Sequence, residues 1–488
     1  MFETSLKEYL LLTDFYEFSM CNAYFEDGIH DVETTFDYFF RTAPFGGGYA
    51  VLAGVELFLD IISDLRFSKE DIEYLSTYNL SREYLEYLAT WKNELTVYGI
   101  EEGRLVFPNE PILKVKGPLI QCQFLETFLL NSLNFPTLCA TKGNRMWLKS
   151  KDRPILEFGA RRAQGPNGAV MATYGSLIGG ISGTSNVLAA KKLGLQAKGT
   201  QAHSWIMSYP TEYEAFKTYA EIYPDDTILL VDTYDTLESG VPNAIRVGKE
   251  LEDMGHKLRG IRLDSGDMTE LSKEARKMLD EAGLDYVKIV VSSDIDEYKI
   301  SEMLENGGQI DLWGIGTKLV TCYDEAALNG VYKLVTYDGK PKIKISGSSG
   351  KTTIPGDKLI VRLYGEYEGK KVALGDVLWL ESEVSADDEN LPNIMLYDPY
   401  DYEVEETIED LNYTEFEFMH KLMFQNGKRC QERVLWNKAQ ENMKNDIARM
   451  STKYLKLKLL DYYPLYVSEN LHDLRQDLIK KHGRKPLD

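Results

Sequence analysis

The chain is poor in the residues that build metal centres and disulfide frameworks. Its 488 residues include only five cysteines and six histidines, and the cysteines form no CxxC pair and have no histidine at ligand spacing. This pattern favours reduced thiols over a zinc site. Because reduced thiols are typical of the cytosol, we expect a cytoplasmic protein.

Long hydrophobic stretches are also missing. No run of eighteen apolar residues occurs, so we expect no membrane span. The first residues, MFETSLKEYLLLTDFYEF, place acidic and polar side chains where a signal peptide has a basic flank and an uninterrupted apolar core. We therefore expect a folded protein with neither a membrane-spanning helix nor a secretory signal.

Positive charge is outnumbered by negative charge over the whole chain but is locally concentrated. The net charge is −22, yet residues 142–205 contain ten Lys/Arg against only Asp152 and Glu157, a local balance of plus eight. A nucleic-acid binder spreads basic charge over a face, so this segment indicates a pocket for a polyanionic small molecule. The alternative is a basic helix face in contact with solvent.

Length and alternation of the chain predict an α/β protein of two or three domains. Residues 1–140 are typical of a mixed α+β domain. The charged, hairpin-like sequence of about 345–425 is expected to complete this domain, and residues 426–488 are expected to form a helical extension. Residues 141–344 alternate strands with helices, which indicates parallel strands. The strand candidates are ILEFG, LQAKGT, TILLVDT, RGIRLDSG, KIVVSSD, DLWGIGT and VYKLVT.

We expect these strand candidates to form an irregular or incomplete β/α barrel and not a doubly wound sheet. A full barrel of eight units takes about 250 residues, whereas only seven candidates occur here within residues 141–344. In a barrel, catalytic groups follow the carboxyl ends of the strands. We therefore expect the polar residues after each candidate to converge on one cavity. They are Arg161, Arg162, Thr200, His203, Ser204, Asp232, Asp235, Arg262, Asp264, Asp267, Ser293, Gly316 and Thr317.

Two kinds of ligand are indicated at these strand ends. Ser293, Gly316 and Thr317 suit a phosphate monoester, because glycine lets backbone N–H groups approach phosphate oxygens; an ordinary tight turn is the alternative. Four aspartates, above all Asp232 and Asp264, are candidate ligands of Mg²⁺, which prefers carboxylate oxygens. At least one of the four is expected to be a helix N-cap instead.

His203 is the one histidine that follows a strand candidate beside Thr and Ser. A lone histidine is more often structural. Its place in the basic segment favours a role as a general acid or base, or as a nucleophile toward phosphorus.

Five motifs, TDFYEF, FGARRAQG, KGTQAHSW, IRLDSGD and GIGT, occur in this order over nearly the whole chain. Together they resemble the nicotinate phosphoribosyltransferases of the type II phosphoribosyltransferase family. The resemblance implies an irregular α/β barrel, an N-terminal α/β sandwich-like domain and a C-terminal extension. It also implies that nicotinate and phosphoribosyl diphosphate yield nicotinate mononucleotide and diphosphate, coupled to ATP hydrolysis, in NAD biosynthesis.

The resemblance also implies roles for individual residues. Tyr16 would line the pyridine site of the other copy in a homodimer. Thr200 and Arg262 would contact nicotinate. His203 would be transiently phosphorylated by ATP. The remaining substrate contacts would come from Arg161 or Arg162, Ser204, Ser293, Gly316 and Thr317, with Asp264 beside Arg262 in the catalytic set.

Three other interpretations compete with this one. A sister enzyme of the same fold would use nicotinamide, with a carboxylate placed to accept from the amide, or quinolinate, with more cations and no ATP. A barrel aldolase or lyase would need a Schiff-base lysine, for which Lys318 is the candidate. A non-catalytic scaffold would leave the polar residues at six strand ends without a purpose.

Overall fold

The chain forms two compact units. The computed structural model describes residues 10–346, 351–400, 405–459 and 461–482. Unit 1 comprises Met1–Leu138 and Ala327–Asp488, and unit 2 comprises Cys139–Ala326. Unit 2 is therefore one continuous stretch that interrupts the sequence of unit 1. Within the described residues we find no helix with the length and apolar character that a membrane crossing requires.

The helices are mostly short, and several begin at a side-chain cap. Ser68 and Asp71 form a capping box, and Thr211 caps a helix through the backbone N–H of Glu214. In chain order the helices are α1 Phe15–Glu26, α2 Val55–Ser63, α3 Lys69–Leu75, α4 Arg82–Ala89, α5 Leu119–Phe124, α6 Glu126–Lys149, α7 Gly165–Ile178, α8 Val187–Leu193, α9 His203–Met207, α10 Glu212–Ile222, α11 Val241–Asp253, α12 Met268–Glu281, α13 Glu297–Glu305, α14 Thr317–Val320, α15 Trp436–Ala448 and α16 Glu469–Lys481.

The strands of the described residues fall into three larger sheets and one two-stranded pair. In chain order they are β1 Glu33–Phe40, β2 Ala50–Val51, β3 Thr96–Gly99, β4 Leu105–Val106, β5 Leu113–Pro118, β6 Ile155–Glu157, β7 Gly183–Thr184, β8 Ile228–Leu230, β9 Gly260–Leu263, β10 Lys288–Ser293, β11 Leu312–Ile315, β12 Gly330–Tyr337, β13 Lys340–Pro341, β14 Lys358–Tyr367, β15 Lys370–Leu380, β16 Met395–Tyr397, β17 Glu405–Thr407, β18 Glu415–Phe418, β19 Lys421–Gln425, β20 Lys428–Arg429 and β21 Leu465–Ser468.

Unit 2 is built on one parallel sheet with the strand order β7-β6-β11-β10-β9-β8. Its strands are short apolar runs such as Ile289–Val291, whose side chains are buried, as expected for parallel strands with both faces covered. Buried residues of α11, α12 and α13 belong to the same hydrophobic cluster as these strands. Among the described residues the sheet order ends at β7 and β8, and its arrangement as a barrel stays a prediction.

Five of the strand candidates form this sheet, and two do not. LQAKGT is irregular backbone, and the short strand β7 takes the remaining place in the sheet. VYKLVT lies in β12, which pairs antiparallel with β1 in unit 1, so its assignment to the barrel strands is wrong. Apolar content alone does not show which sheet a strand joins, because pairing depends on partners far away in sequence.

Unit 1 contains a seven-stranded sheet, β13-β12-β1-β5-β3-β19-β20, and a six-stranded sheet, β17-β16-β21-β15-β14-β18. We expected residues 426–488 to be a helical extension. They do supply α15 and α16, but they also supply β21, which lies between β16 and β15 inside the second sheet. Because an interior strand of the sheet comes from this segment, it is an integral part of unit 1.

Unit 1 also buries a network of ion pairs. Arg362 donates to both carboxylate oxygens of Asp376 at 2.9 and 2.8 Å, and Arg104 bonds Asp446 and Glu417. Burial alone would raise the pKa of Glu417, but the hydrogen bonds and charge of Arg104 prevail and lower it to about 2. Its contribution to stability is therefore present above the ordinary glutamate range and is lost as the pH falls toward about 2.

We predict that Arg362→Met destabilises the protein strongly, because it leaves the Asp376 carboxylate buried without its cation. Removing one partner of a buried pair costs about 3–5 kcal/mol, which urea unfolding at neutral pH will measure. Arg82→Met is the matched control, because Arg82 pairs with Glu86 on the exposed face of α4. Equal urea midpoints for the two variants would contradict the role assigned to the network.

Candidate active site

A cavity of about 600 Å³ lies in unit 2 among the residues that follow the carboxyl ends of the parallel strands. Nine of the residues singled out in the sequence line it together, which is the convergence that the sequence analysis predicts. They are Arg161, Arg162, Thr200, His203, Arg262, Asp264, Ser293, Gly316 and Thr317. Other lining residues are Phe158, Ser185, Gly199, Gln201, Ala202, Ser292, Asp294 and Gly314.

Arg262, near the end of β9, holds the centre of this cavity together. Its Nε donates to Ser292 Oγ at 2.9 Å, and its Nη1 donates to Thr200 Oγ1 at 2.5 Å and to the Gln201 carbonyl at 2.9 Å. Its Nη2 lies 3.4 Å from Asp264 Oδ1. The guanidinium therefore joins β9, β10 and the irregular segment before α9, and it still lines the cavity.

Asp264 is held as a carboxylate. Partial burial alone would raise its pKa, but the hydrogen bond from Ser292 Oγ, at 2.5 Å, and the charge of Arg262 outweigh burial and lower the pKa below its ordinary value. Ser292 thus accepts from Arg262 and donates to Asp264. A cation and an anion are fixed side by side at the cavity wall.

His203 begins α9 and pairs with an aspartate behind it. Its Nε2 lies 3.3 Å from Asp232 Oδ1, and the His203 side chain is 41% exposed whereas that of Asp232 is 1% exposed. The other oxygen of Asp232 accepts from Ser265 Oγ at 2.6 Å and from the Asp264 backbone N–H at 2.9 Å. The imidazole is oriented from behind while one edge stays open to solvent.

Arg161 and Arg162 lie on a turn that is fixed by Glu157, the last residue of β6. The buried Glu157 carboxylate accepts from the backbone N–H of Gly159, and the Arg162 N–H donates to the Gly159 carbonyl at 2.7 Å. Both arginine side chains are exposed and reach the cavity wall. The turn is hydrogen bonded at its base and presents its two cations to solvent.

Glycines shape the opposite wall. A Cβ on Gly314 would stand 2.7 Å from the ring of Phe158, so only glycine lets that ring pack against β11. Gly316 and Thr317 follow at the start of α14. Ser293, at the end of β10, has a φ of 138°, a backbone conformation that non-glycine residues adopt only under strain and often at functional sites.

Some predicted site residues do not line this cavity. Ser204 is exposed and is not among the lining residues, and Tyr16 belongs to unit 1, where it lies exposed on α1. Asp235 and Asp267 are N-caps, since each accepts from two backbone N–H groups of the turn that follows. The expectation that at least one of the four aspartates is a cap is therefore confirmed.

The basic segment is less cationic in space than in sequence. Lys142 lies 2.8 Å from Glu297 and 2.6 Å from Asp324, and Arg145 lies 2.7 Å from Glu297. These two cations are buried in ion pairs and do not serve the cavity. Its positive charge comes instead from Arg161, Arg162 and Arg262.

The two aspartates proposed as magnesium ligands differ in how they fit a metal. Both oxygens of Asp232 already have partners and its side chain is buried, so it does not fit a direct ligand. Asp264 lines the cavity and its side chain is 30% exposed. Among the described residues, no cluster of three or more His, Cys, Asp or Glu side chains is arranged for a metal ion, so an ion held here would need oxygens from a substrate.

Several site residues were missed in the sequence. Phe158, Ser185 and Gln201 line the cavity, and Glu157 supports it from behind. Only Phe158 and Glu157 carried a signal, because they flank the arginine turn directly after an apolar strand. Ser185 follows β7, a strand of two residues that hydrophobic patterning does not reveal.

Models of known protein families match most of the chain. The nicotinate phosphoribosyltransferase N-terminal domain matches residues 11–134, the nicotinate phosphoribosyltransferase family matches residues 154–375, and the nicotinate phosphoribosyltransferase C-terminal domain matches residues 357–475. A nicotinate phosphoribosyltransferase of Bacillus subtilis (strain 168) is 40% identical over 465 residues, which cover 94% of this chain and 93% of the relative. The Homo sapiens enzyme of that name is 33% identical over 413 residues, 73% of this chain and 77% of its own.

Solved structures agree with these matches. The crystal structure of human nicotinic acid phosphoribosyltransferase superposes with a TM-score of 0.84 at 29% identity and covers 96% of this chain and 99% of its own. Nicotinate-nucleotide pyrophosphorylase from Pyrococcus furiosus gives a TM-score of 0.69 at 23% identity, over 92% of this chain and 97% of that one, which shows a shared fold.

We predict that Gly159→Ala destabilises the arginine turn. A Cβ there would stand 2.6 Å from Val320 Cγ1 and 2.8 Å from the Gly316 carbonyl oxygen, so the turn or α14 must shift. Overpacking of this kind costs about 1–3 kcal/mol, and thermal unfolding should show a fall of several degrees. Gly168→Ala is the control, because its nearest neighbour would be 3.9 Å away. An unchanged midpoint for Gly159→Ala would refute the close packing.

Proposed function

Because the chain belongs to the nicotinate phosphoribosyltransferase family, we propose that the cavity of unit 2 is the place where it makes nicotinate mononucleotide. The chain is a nicotinate phosphoribosyltransferase, an enzyme of NAD biosynthesis. The observation that supports the cavity as its active site is the convergence of His203, Arg262 and Thr317 from separate segments of unit 2.

The reaction demands little covalent chemistry from the protein. The bond between ribose C1 and the diphosphate oxygen breaks, the bond between C1 and the pyridine nitrogen forms, and positive charge develops on the ribose between these events. The protein therefore has to position two anionic substrates and neutralise the leaving diphosphate. Arg262 and the arginines at 161 and 162 supply the cations, since the guanidinium fork matches carboxylate and phosphate oxygens.

In this proposal the 5-phosphate and the nicotinate are bound by different walls of the cavity. Gly316 and Thr317 hold the 5-phosphate, with Ser293 beside them on β10. Phe158 packs against the pyridine ring, because it is the sole phenyl ring among the described residues that line the cavity. Thr200 and Arg262 then face the nicotinate end, where Thr200 Oγ1 and Arg262 are already hydrogen bonded to each other.

Magnesium fits this site as an ion shared with the substrate. Asp264 would hold it together with diphosphate oxygens, and when bound it would neutralise charge on the leaving group. Asp264 is suited to this because its pKa is lowered and its side chain is partly exposed. We assign Asp232 to the orientation of His203, because both of its oxygens are occupied.

His203 is the residue that ATP phosphorylates in this proposal. Asp232 accepts a hydrogen bond from the protonated Nε2, so the lone pair of the imidazole lies on Nδ1. Nδ1 attacks the γ-phosphorus of ATP, the N–P bond forms, the bond to the bridging oxygen breaks and ADP leaves. Hydrolysis of the phosphohistidine afterwards restores the histidine and releases phosphate.

The remaining expectations concern the assembly. We retain the homodimer, in which Tyr16 of one copy serves the site of the other, and the cytoplasmic location as proposals. The exposure of Tyr16 on α1 is compatible with such a contact. Ser204, exposed on α9 directly after His203, is retained as a substrate contact.

We expect the purified protein, given Mg²⁺ and phosphoribosyl diphosphate, to convert nicotinate to its mononucleotide and to leave nicotinamide and quinolinate unreacted. The physical reason is that the cavity offers arginine forks for a carboxylate beside the phenyl ring of Phe158. Mass spectrometry of the products measures this directly, with each acid or amide offered separately. Mononucleotide from nicotinamide alone would overturn the proposal.

We predict that His203→Ala keeps some basal transfer but loses the stimulation by ATP. The structure offers a matched control in His256→Ala, because His256 also pairs with an aspartate, Asp225, at 2.9 Å but does not line the cavity. Initial rates with and without ATP are compared for the two variants, and peptides are examined under basic conditions for phosphohistidine. Equal ATP stimulation in His203→Ala, or an unmodified His203 peptide in the wild type, would contradict the assignment.

A further inference from the structure

Glu157 is a buried carboxylate that the reaction itself does not use. It is the last residue of β6 and is 1% exposed. One oxygen accepts from the backbone N–H of Gly159. The other accepts from Thr173 Oγ1 at 2.9 Å and Thr184 Oγ1 at 2.5 Å. A buried carboxylate is costly unless its oxygens are bonded, and here three donors converge on it.

Two of these donors belong to different walls of the cavity. Gly159 begins the turn that carries Arg161 and Arg162. Thr184 ends β7, and its hydroxyl also accepts from the Asn186 N–H at 2.9 Å, so it fixes the loop that carries Ser185 into the cavity. The Ser185 N–H in turn donates to the Glu157 carbonyl at 2.9 Å.

The third donor differs from the other two. Thr173 lies inside α7, is fully buried and does not line the cavity. Its hydroxyl proton is shared between Glu157 and the Ala169 carbonyl, at 3.0 Å, within the same helix. The bonds of Gly159 and Thr184 instead fix the arginine turn and the Ser185 loop. The same Glu157 oxygen therefore accepts hydrogen bonds from Thr173, which lies away from the cavity lining, and from Thr184, which shapes the site.

We propose that Glu157 is a positioning residue for nicotinate, acting through Thr184 and Gly159 to hold the Ser185 loop and the arginine turn at a fixed separation. Phe158, which follows Glu157 directly, places the aromatic part of the substrate between these two walls. The inference rests on the proposed function of the cavity. Glu157 sets the distance between the two walls that bind the aromatic acid, and it does not contact the substrate itself.

Two isosteric variants test this assignment. Thr184→Val and Thr173→Val each remove one hydroxyl donor from the same Glu157 oxygen, and both positions are fully buried. We expect both to lower the thermal midpoint. Only Thr184→Val should raise KM for nicotinate, by about fivefold to tenfold, because returning the released Ser185 loop to its place on binding would cost about the free energy of one hydrogen bond. Its kcat and its KM for phosphoribosyl diphosphate should change by less than about twofold, and Thr184→Ser should restore KM.

The outcomes separate this inference from the proposed function. If the wild type forms no nicotinate mononucleotide, the proposed function fails. If the wild type is active but Thr184→Val and Thr173→Val raise KM for nicotinate equally, or neither raises it, the positioning role of Glu157 is refuted. A selective rise in Thr184→Val that Thr184→Ser reverses supports it, because a purely structural loss would not distinguish the two threonines.

Discussion

The hydrogen bonds of Arg262 are the interaction on which the site depends. One guanidinium reaches Thr200, Gln201 and Ser292, and it also lies beside Asp264. Parallel strands bring their carboxyl ends to one edge of a sheet, but the loops that leave them are free to diverge. Arg262 ties these loops together, because a planar group with five donors can bond several segments at once. The cavity keeps its shape for this reason.

Electrostatic pairing decides which charges serve the reaction. The sequence has many cations around residues 142–205, but burial forces Lys142 and Arg145 into pairs with Glu297. The arginine turn keeps its charges in solvent because its base is fixed by Glu157 through the backbone. Lys142 and Arg145 are thus neutralised, whereas Arg161 and Arg162 remain available to the cavity. The cavity is therefore positive although the whole chain is acidic.

The positions of most site residues were predictable from the sequence, because a polar residue directly after a buried parallel strand lies at the active edge. Asp264 and Thr317 are found by this rule, because they follow β9 and β11. His203 follows irregular backbone instead of a strand, so only the family motif KGTQAHSW predicts it. Contacts between distant segments were not predictable. Nothing in the sequence around Asp232 indicates that it pairs with His203. The pairing of β12 with β1 likewise depends on a partner strand about 300 residues earlier. A pattern describes one segment, whereas a contact needs two.

The central claim is that this one cavity holds both ends of phosphoribosyl diphosphate beside the aromatic acid. A crystal structure of the protein with phosphoribosyl diphosphate, Mg²⁺ and nicotinate tests it most directly. We predict the 5-phosphate at Gly316 and Thr317, the diphosphate near Arg262 and Asp264, and the pyridine ring against Phe158. Substrate bound outside unit 2, or a phosphoribosyl group that contacts none of these residues, would contradict the account.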